Sequence, residues 1–124
     1  MSAPLILIAE DDVTLRQGLV DLLEAEHYRV CAAADGRQAL ELYRREKPDL
    51  LLLDVMMPEM SGDVVLQNLR KLPGLQDTPA IFMTARAQRN EIVDLKALGA
   101  IEVILKPFDP ITLPDQIKTA LSIS

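Results

Sequence analysis

The sequence predicts an α/β fold, a doubly wound parallel sheet of five strands with helices on both faces. Three observations carry that prediction. Five short apolar runs alternate with segments of helical period, the pattern of repeated βα units joined by right-handed crossovers. The first and third runs are apolar throughout, with no in–out alternation, as strands covered on both faces require. Turn-forming residues fall at the seams between runs and helical segments.

The first strand is expected over Leu5–Ala9, followed by a helix whose Leu15, Leu19, Leu22 and Leu23 fall at i, i+4, i+7 and i+8. The second run, Val30–Ala34, leads through an Asp35-Gly36 turn to a helix marked by Ala39, Leu42 and Tyr43. Lys47-Pro48 breaks that helix, and Leu50–Leu53 forms the third run. Val65, Leu69 and Leu72 mark the third helix, Pro73-Gly74 a turn, and Ala80–Met83 the fourth run. Ile92, Leu95 and Leu98 mark the fourth helix, with Gly99 at its C-cap and Ile101–Leu105 as the fifth run. After a Lys106-Pro107 turn, Leu113, Ile117 and Leu121 mark the last helix. Its start should be irregular: Asp109 can cap and Pro110 suits a first helical position, but Pro114 has no N–H for the Pro110 carbonyl.

A chain of 124 residues with 49% hydrophobic content suits one domain over 1–124, with a core that needs no staples. It shows no repeat, low-complexity segment or linker. Thirteen Lys and Arg against nineteen Asp and Glu give a formal charge of −6. That charge repels a phosphate backbone, and no basic stripe offsets it, which argues against direct nucleic-acid binding. Cys31 is the single cysteine and cannot form an internal disulfide; with five methionines it suits a reducing compartment. It reads as a small buried apolar residue. The run Pro4–Ala9 lacks the basic flank of a targeting signal, and no stretch approaches the roughly 18 apolar residues of a membrane span. A cytoplasmic protein without membrane insertion is expected.

In a parallel sheet the C-terminal ends of all strands lie along one edge, where open α/β sheets bind ligands. Glu10 and Asp11 follow the first run, Asp54 ends the third, Thr84 the fourth and Lys106 the fifth. Singly, each has an ordinary reading: acids at a helix N-terminus, with Asp12 as cap, a strand-end cap at Asp54, a backbone-bonded hydroxyl, a surface lysine. Their coincidence at successive strand ends points to a site. Three carboxylates in one crevice raise each other's pKa and lose hydration, so positive charge must be present. Lys106 supplies part of it, and a divalent cation balances the remainder. An oxygen-only donor set, without a competing Cys/His group, describes Mg²⁺ better than Zn²⁺ or Ca²⁺. Such a site suits phosphoryl acceptance, with Asp54 as nucleophile and Mg²⁺ and Lys106 neutralising the equatorial oxygens.

Four stretches carry a family resemblance: Leu7-Ile8-Ala9-Glu10-Asp11-Asp12; Leu52-Leu53-Asp54-Val55-Met56-Met57-Pro58-Glu59-Met60-Ser61-Gly62; Met83-Thr84-Ala85; and Leu105-Lys106-Pro107-Phe108. In that order and spacing, the chain resembles the receiver domain of bacterial two-component response regulators, of the chemotaxis-regulator type, over essentially its whole length. The resemblance implies a flavodoxin-like (βα)5 sheet in the order 2-1-3-4-5. It implies that Asp54 takes a phosphoryl group from a phosphohistidine of a sensor histidine kinase or histidine phosphotransfer protein. Asp11 and Asp54 would ligate Mg²⁺ directly, Glu10 through water and Met56 through its carbonyl; Thr84 and Lys106 would contact the phosphoryl oxygens, and the Lys106-Pro107 peptide would be cis. A two-state equilibrium would then be read by a downstream partner, or through a homodimer, on the face of the fourth helix, fifth strand and fifth helix.

Two positions depart from the family pattern. Val103 stands where most receivers carry Tyr or Phe, so a ring swinging inward behind Thr84 is not available. Met56 stands where many relatives carry a polar side chain that orients water. Other function classes fit less well. An aspartyl-phosphate hydrolase often carries a second acid where Met56 stands, and Gly18, Gly36, Gly62, Gly74 and Gly99 form no nucleotide-cradling loop. An unphosphorylated interaction module would lack Asp54 or Lys106, and both are present. His27, the single histidine, reads as a surface loop residue, so the donor must be another molecule.

Overall fold

Five parallel strands, β1 (Leu5–Ala9), β2 (Arg29–Ala33), β3 (Leu50–Asp54), β4 (Ala80–Thr84) and β5 (Glu102–Leu105), form one sheet in the order β2-β1-β3-β4-β5. They are joined by α1 (Val13–Ala25), α2 (Gly36–Glu46), α3 (Gly62–Leu69) and α4 (Arg89–Ala97), and α5 (Leu113–Ile123) follows β5. This computed structural model describes residues 3–72, 77–85 and 89–123. The fold is the flavodoxin-like arrangement the sequence predicts.

Every residue of β1, β3 and β4 is buried, and the period of two sends alternate side chains into two cores. Leu7, Ala9, Leu51, Leu53 and Phe82 meet Ala39 and Tyr43 of α2 and Val65, Leu66 and Leu69 of α3. Ile6, Ile8, Leu50, Leu52, Ile81 and Met83 meet Leu19 and Leu23 of α1 and Leu113, Ile117 and Ala120 of α5. Each fully buried Leu or Ile contributes about 1.5–3 kcal/mol relative to exposure. The edge strands β2 and β5 are only partly covered, and Cys31 of β2 is half-buried against the first core. Burial pushes its thiol pKa up, with the charge of Glu46 adding to the effect. The sequence reading of a buried residue is corrected at this position: on edge strand β2 the Cys31 side chain is only partly covered.

Several boundaries differ from the sequence reading. β2 begins at Arg29 and ends at Ala33, and β5 begins at Glu102 rather than Ile101. β3 and β4 extend to include Asp54 and Thr84, so both residues sit on the last rungs of the ladder. Asp35-Gly36 is a helix start and not a separate turn: Asp35 accepts from the Gln38 amide at 2.9 Å and caps α2. Gly36 is required there, because a Cβ would lie 2.8 Å from Met60 Cβ and Val65 Cγ2. Leu72 and Leu98 fall beyond the ends of α3 and α4. Gly99, at φ 109°, ends the turn after α4 in the conformation glycine tolerates. Pro73-Gly74 lies outside the described residues. At the last helix, Ile111 N donates to Asp109 Oδ1 at 2.8 Å and Leu113 N to Asp109 O at 2.9 Å. The stretch 110–112 is a turn and the regular helix begins at Leu113, which places Pro114 in its first turn, where no N–H is needed.

Candidate functional site

Parallel pairing aligns the C-terminal ends of β1, β3, β4 and β5, and three of the polar residues placed there are buried. Among the described residues, the buried polar or charged side chains are Glu10, Asp54 and Thr84, at 0%, 2% and 4% exposure. Glu10 N remains on the ladder through Ala33 O at 3.1 Å, and Val55 N bonds Met83 O at 2.9 Å, so both acids leave the sheet on fixed backbone. Gly62, opening α3, packs against the Asp54 carbonyl so closely that any Cβ would collide with it.

Lys106 Nζ lies 2.8 Å from Asp54 Oδ2 and 2.5 Å from Glu10 Oε1. One carboxylate oxygen from each of Glu10, Asp11 and Asp54 lies within 4.8 Å of the others, with Asp11 on the exposed side. Asp54 Oδ1 also accepts from the Met56 amide at 3.2 Å, while the Met56 side chain is 59% exposed. Thr84 ends β4 beside Leu105, and its carbonyl accepts from Lys106 N at 2.8 Å. The Lys106-Pro107 peptide is cis. Glu10, Asp11, Asp54 and Lys106 thus meet as the sequence suggests, with Thr84 at the neighbouring strand end. Asp12 stays outside the cluster: it caps α1, accepting from Leu15 N at 2.8 Å. His27, exposed at φ 69°, follows α1 as a surface residue.

Burial raises the Glu10 pKa from 4.5 to about 7, and its hydrogen bond with Asp54 pushes in the same direction against the Lys106 charge. Burial disfavours the Lys106 ammonium, but its bonds and attraction to Asp54 and Glu10 outweigh that and raise its pKa. The ammonium is firmly charged, whereas the carboxylates exceed it in number. Glu10 Oε1 is fully buried and faces the Lys106 ammonium at 2.5 Å. A cluster of three carboxylates around a single ammonium can hold a further cation.

One contact was not foreseen from the sequence. Arg16, in α1, sends Nη1 back to the main-chain carbonyls of Glu10, at 2.8 Å, and Asp11, at 3.5 Å. The available signal is its position, since a cation in the first turns of a helix runs against the dipole preference.

A family model described as the response regulator receiver domain matches residues 6–118. Probable transcriptional regulator ycf27 of Porphyridium aerugineum is 39% identical over 94% of this chain and 47% of its own length. Sporulation initiation phosphotransferase F of Bacillus subtilis is 35% identical over 94% of this chain and 92% of its own. The chain spans about half the length of the first curated relatives it matches. Among solved structures, the chemotaxis protein CheY4 of Vibrio cholerae superposes with a TM-score of 0.90 and 30% identity, covering 95% of this chain and 98% of that one. Sequence, sheet order and acid cluster agree, and the chain belongs to the response regulator receiver domain family.

Proposed function

We propose that this chain accepts a phosphoryl group on Asp54 from a phosphohistidine of a sensor histidine kinase or histidine phosphotransfer protein, and signals the modified state to a downstream protein. The observation that carries this is that Asp54, 2% exposed, shares the Lys106 ammonium with Glu10 and has carboxylate oxygens of Glu10 and Asp11 within 4.8 Å. An Asp54 carboxylate oxygen forms the bond to phosphorus as the histidine N–P bond breaks, and the imidazole keeps the electron pair. Lys106 neutralises phosphoryl oxygens, and the Thr84 hydroxyl at the adjacent strand end donates to another.

The donor set fits Mg²⁺. It is all oxygen, acid-rich and open on the Asp11 side, so Glu10, Asp11, Asp54 and the Met56 carbonyl would hold the ion with room for water. Bound there, Mg²⁺ supplies positive charge to the phosphoryl oxygens. The reaction is with the chain's own carboxylate, so phosphotransfer and dephosphorylation of itself are its only chemistry.

Residues 1–124 act as one receiver unit in this reading. The surface that reports the change is the α4, β5 and α5 face, where Val93 and Leu105 are 60% and 44% exposed; it serves a downstream partner or a homodimer. Among the described residues no helix is long and apolar enough to cross a membrane, in keeping with a cytoplasmic setting. The test is incubation with acetyl phosphate and MgCl₂ followed by intact-mass analysis. One added phosphoryl group is expected for wild type and none for Asp54→Ala or in excess chelator; equal labelling of all three contradicts the proposal.

A further inference from the structure

We propose that Arg16 is a positioning residue for the cation site: it locks the Glu10-Asp11 backbone so that both carboxylates face Asp54. This rests on the phosphoacceptor reading above and extends it to a residue outside the acid cluster. The two acids sit on a short link between the end of β1 at Ala9 and the Asp12 cap of α1. At one end of the link, Glu10 N is tied to Ala33 O at 3.1 Å; at the other, Asp12 caps Leu15 N and its carbonyl receives Arg16 N at 2.9 Å. Between them lie the Glu10 and Asp11 peptide units, whose orientation sets how the two side chains leave the backbone; Asp12 N also approaches Glu10 Oε2 at 3.5 Å.

Both carbonyls are taken by the one guanidinium nitrogen, at 2.8 and 3.5 Å. Helical side chains lean toward the N-terminus, so a long donor one turn into α1 reaches back over this link. Among the described residues Arg16 forms no ion pair, although three carboxylates lie close by. Its Nη1 donors go to main chain, and the ammonium paired with the cluster is that of Lys106.

That distinction fixes the sign of the test. Through space, a nearby cation repels Mg²⁺, so removing the Arg16 charge should tighten Mg²⁺ binding if charge were its only influence. Removing a group that orients the ligand backbone should weaken it, typically by about tenfold or more for partners behind metal ligands. Titration of MgCl₂ into the full chain by calorimetry, with the folded fraction of each variant fixed by circular dichroism, separates the two. Arg16→Ala is expected to bind Mg²⁺ roughly tenfold more weakly, while its acetyl phosphate labelling rate at saturating Mg²⁺ recovers most of the wild-type value, because Asp54 and Lys106 are intact. Gln17→Ala, which removes an exposed amide that donates to Asp21 Oδ1 at 2.8 Å, should bind as wild type does. Unchanged or tighter binding by folded Arg16→Ala overturns the proposal. If that variant does not fold, Arg16→Lys decides: it keeps the charge on a side chain one bond shorter, and wild-type affinity there overturns the proposal. Wild type that neither binds Mg²⁺ nor labels overturns the phosphoacceptor reading itself, whereas labelling wild type with equal affinity in both Arg16 variants overturns only the role of Arg16.

Discussion

Met56 lines two cavities, one with Asp11 and Ser61 and another with Thr84 and Asp63. Its amide supports Asp54, and beside a phosphoryl group on Asp54 its exposed thioether would offer attacking water no polar partner. Met56→Asn should therefore speed loss of the phosphoryl group by roughly tenfold, about 1.4 kcal/mol in the barrier; a half-life that is unchanged or longer contradicts this argument. Glu10 makes a second prediction, for protein in excess chelator. Its folded pKa, about 7, lies above the ordinary 4.5, so the folded state holds the proton more tightly and stability declines as pH rises between those values. Lys106, raised from 10.5, contributes stability that is lost only at higher pH and does not enter this window. The urea midpoint of wild type minus that of Glu10→Gln should fall from pH 4.5 to 7 and then level, and a flat difference contradicts it. At this scale the site was largely legible, because strand ends converge whatever lies between them. Arg16 was not, because its partners are carbonyls, which a sequence does not label.

Elements were legible where burial is complete and less so at edges and starts. Val103 on edge strand β5 is only half-buried, packed with the α2 and α3 core, so trimming it forfeits less than trimming an enclosed side chain. Val103→Ala should cost about 1 kcal/mol in urea unfolding, the low end for trimming a branched side chain, with labelling of Asp54 intact. With beryllofluoride as a phosphoryl mimic, the largest amide shifts should centre on Thr84, Ala85 and the start of α4; a Val103 rotamer change with a still β4–α4 connection contradicts this. The expected irregular start of α5 resolves as a later helix, since Asp109 organises a turn before Leu113. In the loop between β3 and α3, Glu59 stands at φ 66°, a conformation unusual for a side chain of this kind. Relief of that left-handed geometry by Glu59→Gly should stabilise by about 0.5–1 kcal/mol, the cost of a side chain there less the entropy glycine adds to the unfolded chain. A lower urea midpoint for the variant contradicts the strain.

Across the whole molecule, the alternation of apolar runs and helical periods was enough for the α/β class, because parallel strands covered on both faces must be joined by crossovers. The strand order entered through the family resemblance, since the runs themselves do not record which strand is central; β1 and β3 are buried on both faces just as β4 is. Once that order holds, four strand ends deliver Glu10, Asp54, Thr84 and Lys106 to one edge of the sheet. The central claim is therefore covalent and local: one carboxylate, Asp54, carries the phosphoryl group. Labelling the chain with acetyl phosphate and MgCl₂, then reducing it with borohydride, converts an acyl phosphate to the alcohol, and peptide mass spectrometry reads the converted residue. Homoserine at position 54 is the predicted result. Conversion at Asp11 or Glu10 instead, or no conversion in a chain that has gained a phosphoryl group, would contradict it.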